Sequence, residues 1–126
     1  MNIPAQVFAL IAAVMHLWMF TMESIRFARP EVHAMFEVRA ADVDVVRPWA
    51  FHQGCYNAFL ALQVLAGLIA ADSGAIAVGR ALVSAAGASM LAASVALIAF
   101  DPRRARIKGL LGQGAPALAT LVALMA

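Results

Sequence analysis

Charge is in short supply in this sequence. Asp, Glu, Lys and Arg together make up 13% of the 126 residues, against roughly 25% in an average soluble domain. Hydrophobic residues make up 64%, and mean hydropathy is +0.87. That imbalance excludes a disordered chain, a nucleic-acid module and an ordinary water-soluble enzyme. Cysteine is nearly missing as well. Cys55 stands alone, which excludes a disulfide framework and any multi-cysteine zinc site. The formal net charge of +2 is small, and the placement of the basic residues reads as a topology signal, not a phosphate-binding patch. The composition is that of an integral membrane protein whose constant partner is the lipid bilayer.

A helix needs about 20 mostly apolar residues to cross a hydrocarbon core of about 30 Å. Four runs qualify, at about 3–23, 49–71, 76–100 and 107–126. From Ile3 to Met22 the first is interrupted only by Gln6, His16 and Thr21. No Lys or Arg precedes it and it is too long for a signal core, so it reads as an uncleaved span. Pro48 suits the first turn of the second helix, and Asp72-Ser73-Gly74 reads as the turn after it. Asp101-Pro102 stops the third run. The runs lack the period-two alternation of a β-barrel. The expected fold is therefore all-α, a four-helix transmembrane bundle running up-down-up-down.

Orientation follows from the basic residues. Arg26, Arg29, Arg39 and Arg47 lie between the first two runs, and Arg103, Arg104, Arg106 and Lys108 between the last two. Arg80 alone falls on the other side. Cytoplasmic loops carry the excess of Lys and Arg, so both termini are expected to be non-cytoplasmic. The connection at 24–48 is the long one. Pro30 is placed to start a short helix there, with Val32, Met35 and Phe36 on one side, resting in the membrane interface; a solvated linker is the alternative. In the third run, Ala81, Ser84, Ala85, Ala88, Ser89, Ala92 and Ala93 form a small-residue stripe that predicts a packing face in the bundle or, failing that, a dimer face.

Polar side chains are expensive in hydrocarbon and tend to mark function. The first run carries His16 and Glu23, two helical turns apart on one face. The second carries His52, Gln53, Tyr56 and Asn57, whose spacings of four predict one polar stripe. The fourth carries Gln113 between Gly112 and Gly114, near Pro116. With the inferred orientation, all these groups fall in the cytoplasmic half of the membrane, His16 about 10 Å deeper than Glu23. Glu23 is placed either to reach interfacial water or to pair with Arg26. Gln53, Asn57 and Gln113 are also suited to simple helix–helix hydrogen bonding, and Cys55 to packing.

These residues carry a resemblance. His16 with Glu23, then His-Gln-Gly-Cys-Tyr-Asn-Ala-Phe-Leu at 52–60, then Gly-Gln-Gly-Ala-Pro-Ala at 112–117 resemble the bacterial membrane family catalogued as domain of unknown function 1304. The order and spacing match over nearly the whole chain. That family commonly has Asn where this chain has His52. The resemblance implies a small four-helix protein of the bacterial inner membrane and no established activity.

Three functional classes follow. The first is a polar pocket for a small amphiphilic molecule, lined by His16, Glu23, His52, Gln53, Tyr56, Asn57 and Gln113, with His16 and Glu23 as the proton-transfer candidates if there is chemistry. The second is a small dimeric transporter. The third is a structural or accessory membrane protein whose polar groups only specify helix pairing. Two histidines and one carboxylate without ligand spacing assign no metal and no other cofactor. A homo-oligomer remains open.

Overall fold

A computed structural model describes the backbone of residues 1–126 and every side chain except that of Ala105. Among the described residues there are helices and turns and no strands. Helix α1, Ile3–Phe20, continues directly into a single π turn, Thr21–Ile25. A short helix α2 occupies Pro30–Met35, and a 3₁₀ turn at Ala40–Asp42 leads into α3, Val43–Asp72. Helices α4, Ile76–Phe100, and α5, Arg104–Met125, complete the chain. Four segments are long and apolar enough to cross a membrane: Ile3–Ile25, Ala40–Asp72, Ile76–Phe100 and Arg106–Met125.

Two boundaries move relative to the sequence reading. Helix α3 begins at Val43, not near Trp49, and runs straight through Pro48. Pro48 lies only one turn beyond the positions whose N–H groups lack a helical partner, so the proline forfeits a single hydrogen bond near the helix start. The early residues of α3 hold Asp44 and Arg47, and their polarity marks the end of the apolar run, not the end of the helix. Helix α5 likewise begins at Arg104. The other stops fall where the turn residues lie. Gly74, with φ +94°, takes the left-handed conformation that lets α3 hand over to α4.

The chain divides into two compact units. The first comprises Met1–Met15 and Leu60–Ala126. Its core is made of small residues, with Ala5, Ala9, Ala61, Ala86 and Ala117 fully buried beside Val64, Val83 and Met90. Close backbone approach explains that choice. A Cβ at Gly79 would lie 2.5 Å from the Gly67 carbonyl oxygen and 2.7 Å from Ala71 N, so the backbones of α3 and α4 approach there at a spacing only glycine allows. Gly87 faces Leu121, and Gly114 faces Ser94, along the α4–α5 contact.

The buried face of α4 is Gly79, Val83, Ala86, Gly87, Met90 and Ser94. The expected stripe is mostly elsewhere: Ala81, Ala85, Ala88, Ser89, Ala92 and Ala93 point away from their own chain. Small residues occupy every side of this helix, so spacing by four cannot choose a face. Gly79 marks it, because there the neighbouring backbone comes too close for a side chain.

The second unit is His16–Phe59. Met19, Met22, Phe27 and Val32 form its apolar centre, and the Phe27 and Phe36 rings meet at 5.9 Å. Helix α2 does begin at Pro30, as the sequence predicts. It closes with Glu37 in a left-handed conformation (φ 60°), the Glu37 N–H donating to Ala34 O and the Val38 N–H to His33 O at 2.9 Å each. This is a Schellman closure. The buried His33 ring supports it, its Nδ1 lying 2.8 Å from Val38 O.

Candidate functional site

The site is built where α1 widens. The Thr21 hydroxyl donates to Leu17 O at 3.0 Å, a back-bond that competes with helical N–H donors and opens the turn. The Arg26 N–H then reaches five residues back to Thr21 O at 2.9 Å, the signature of a π turn. Such turns occur often at functional sites. Inside this one, Met22 and Glu23 are buried. The widened turn thus carries a carboxyl group inside a mostly apolar span.

Its partner comes from α3. Asn57 Nδ2 donates to Glu23 Oε2 at 2.7 Å, a buried hydrogen bond between residues 34 apart in sequence. Glu23 is 8% exposed and Asn57 4%. One turn before Asn57, Gly54 brings the backbones together. A Cβ there would collide with Ser24 Oγ and lie 3.0 Å from Glu23 Cβ and 3.1 Å from Ser24 N. Ser24 Oγ donates to Phe51 O at 2.9 Å. Gly54, Ser24 and the Phe51 carbonyl therefore fix the approach that lets Asn57 reach Glu23.

The second carboxylate oxygen of Glu23 has no hydrogen-bond partner among the described residues, and it is not sealed from the surface. The alternative pairing with Arg26 is absent: the Arg26 Nε is buried and without a partner among the described residues. A buried carboxylate with one oxygen held and the other open can accept a hydrogen bond from a ligand, or take up and release a proton.

The remaining sequence-predicted residues are placed variously. His16 is 2% exposed, on the buried side of α1. His52, Gln53 and Tyr56 are exposed, so the expected stripe on α3 divides and Asn57 alone of the four turns inward. The His52 and Tyr56 rings stack edge-on at 4.9 Å, and Tyr56 meets Phe59 at 6.2 Å. Gln113 lies on α5 in the first unit, half-buried between Gly112 and the buried Gly114. Cys55 is half-buried. Among the described residues no three His, Cys, Asp or Glu side chains gather as a metal site would require.

Ser24 and Gly54 were not among the residues singled out from the sequence. The signal for Gly54 was available, since it lies three residues before Asn57 and hence shares its helix face. Nothing in the sequence marks Ser24 beyond its place next to Glu23.

An all-helical chain with four membrane-length apolar helices and a buried carboxylate–amide pair joining two of them is a multi-span membrane protein. More particularly, residues 10–125 match the family described as Protein of unknown function (DUF1304), and the chain belongs to that family. No curated protein and no solved structure matches it.

Proposed function

We propose that the protein binds a small amphiphilic molecule whose head donates hydrogen bonds to Glu23, with Asn57 orienting the carboxylate. The observation that carries this reading is the pair itself. A carboxyl group in hydrocarbon is expensive unless partnered, yet only one of the two Glu23 oxygens has a partner among the described residues. A hydroxyl or ammonium head would satisfy the other, while its tail takes the place of lipid against the apolar faces. His16, buried on the same helix, is the second titratable group in this reading and the candidate proton partner if the head is chemically altered. His52, Gln53 and Tyr56 are assigned to the outer approach to the pair.

The test uses a diazirine-bearing long-chain alkylamine and the matching long-chain carboxylate, cross-linked to the purified protein. The amine is expected to label peptides around the π turn and the Gly54–Asn57 segment. Glu23→Gln should abolish that labelling, and the carboxylate probe should fail to label there at all. Equal labelling by both probes, or unchanged labelling of Glu23→Gln, would overturn the proposal and favour a purely structural pair.

A further inference from the structure

Helix α3 has 30 residues, which at about 1.5 Å each give about 45 Å. The hydrocarbon core takes up about 30 Å. The apolar stretch from Trp49 onward is sufficient to fill that core by itself, so the Val43–Pro48 end of α3 extends beyond it into the headgroup layer. At that end the structure has a cleft of about 480 Å³ lined by Ser24, Asp44, Arg47, Pro48 and Phe51. It is an open groove and not an enclosed pocket, and Asp44, Arg47, Pro48 and Phe51 are all exposed along it.

The charges in the cleft are arranged for something other than each other. Asp44 and Arg47 are three residues apart on one helix, a spacing at which opposite charges are neighbours. Nearby, Arg39 and Asp42 have the same spacing and do pair, Nε to Oδ2 at 2.8 Å. Asp44 and Arg47 form no side-chain hydrogen bond or ion pair among the described residues. Ser24 has already given its hydroxyl hydrogen to Phe51 O and so presents lone pairs to a newcomer. Pro48 and Phe51 supply an apolar lip, and Trp49 next to them is 75% exposed, as suits a ring at the level of lipid headgroups.

We propose that this cleft seats a phosphoethanolamine-type zwitterion. The primary ammonium is taken by the Asp44 carboxylate and Ser24 Oγ, and the phosphate by the Arg47 guanidinium, whose planar fork matches phosphate oxygens. A quaternary choline head has no N–H to give Asp44. A glycerol head leaves Asp44 without a cation. The cleft shares Ser24 and Phe51 with the contact that positions the Glu23–Asn57 pair, but neither Glu23 nor Asn57 lines it, and its occupancy does not rest on the proposed amphiphile there.

The experiment measures lipid retention by native mass spectrometry on the detergent-purified protein. Phosphatidylethanolamine, phosphatidylcholine and phosphatidylglycerol of matched acyl chains are supplied in equal amounts. The first is expected to be retained about tenfold over the others, the effect of one charge-assisted hydrogen bond. Asp44→Asn should bring phosphatidylethanolamine down to the level of phosphatidylcholine, and Arg47→Gln should lower both. Both side chains are exposed, so the folded state should survive, and an unchanged thermal unfolding transition in detergent would confirm it. Soluble O-phosphoethanolamine, added as a competitor, identifies the source. Displacement at lipid-like concentration means the zwitterion is drawn from water, and failure to displace means it is drawn from the bilayer; either result, with the preference intact, supports the assignment. Equal retention of the three lipids, or a preference that survives both substitutions, would overturn it.

Discussion

Glu23 and Asn57 define the residue scale, because each is tolerable in the membrane only through the other. Removing one partner of a buried charged hydrogen bond leaves the full desolvation penalty on the survivor. Asn57→Leu should therefore destabilise the protein by about 1–3 kcal/mol, read from denaturant-induced unfolding in detergent. Glu23→Gln keeps an acceptor for the Asn57 amide and removes a charge from hydrocarbon, so its cost should stay below about 1 kcal/mol. A larger loss in Glu23→Gln than in Asn57→Leu would contradict this account of the pair. Gly54 offers a steric check on the same contact. Gly54→Ala meets Ser24 Oγ and the Glu23 Cβ at 3.0 Å, an overpacking worth about 1–3 kcal/mol. Adding Ser24→Ala removes the hydroxyl clash but leaves the 3.1 Å approach to Ser24 N, so the double variant should recover only part of the loss. Additivity of the two substitutions would mean that this approach is not what Gly54 secures.

Elements with strong punctuation were legible in the sequence, and those without it were not. The stops at Asp72 and Phe100 lie beside Ser73-Gly74 and Asp101-Pro102, residues whose backbone preferences act locally. The short helix begins at Pro30 for the same reason. The start of α3 was misplaced because hydropathy reports where lipid begins, whereas the helix continues beyond it through Asp44, Arg47 and Pro48. The π turn had no signature at all: it arises from the Thr21 back-bond together with the Gly54 contact, the second of which is tertiary. For the site, Glu23 and Asn57 were both visible as misplaced polar groups, but their pairing was not. Asp101 illustrates an element whose chemistry is local and hence predictable. It ends α4, and its carboxylate accepts from Arg103 Nε at 2.7 Å and from Arg106 Nε at 3.1 Å. The hydrogen bond from Arg103, with that from Arg106, holds the Asp101 carboxyl well below the usual carboxylate range. A depressed native value means that the stabilising contribution is complete above the ordinary aspartate range, about pH 4. It is lost as pH falls from there toward the native value. Wild-type protein should thus lose thermal stability in acid below about pH 4, and Asp101→Asn should flatten that part of the profile. An unchanged slope in the variant would show that this turn contributes nothing to the acid response.

At the scale of the whole molecule, the one basic residue that stands apart from the other eight has a structural occupation. Arg80 Nη2 donates to Leu124 O, and Asn2 Nδ2 donates to Ala123 O at 2.6 Å. Both carbonyls belong to the last turn of α5, where helical partners run out. A cation at that end also complements the helix dipole. Arg80 therefore has a capping role, which accounts for the one basic residue that the expected up-down topology puts on the other side. Orientation and stability should then respond to different substitutions. Arg80→Gln should reduce stability by about 1 kcal/mol through the lost charged cap and leave the membrane orientation untouched, since it takes away a charge that opposed the majority. Neutralising Arg103, Arg104, Arg106 and Lys108 together should instead weaken the orientation signal. In a Cys55→Ser background, single cysteines at position 2 and in the 24–48 segment report each side through a membrane-impermeant thiol reagent applied to intact cells. Position 2 is expected to label and the 24–48 probe to stay protected, in wild type and in Arg80→Gln alike. Labelling of the 24–48 probe from outside in the otherwise wild-type chain would reverse the assignment of sides. A change of orientation on Arg80→Gln alone would show that this arginine does more than close the end of α5.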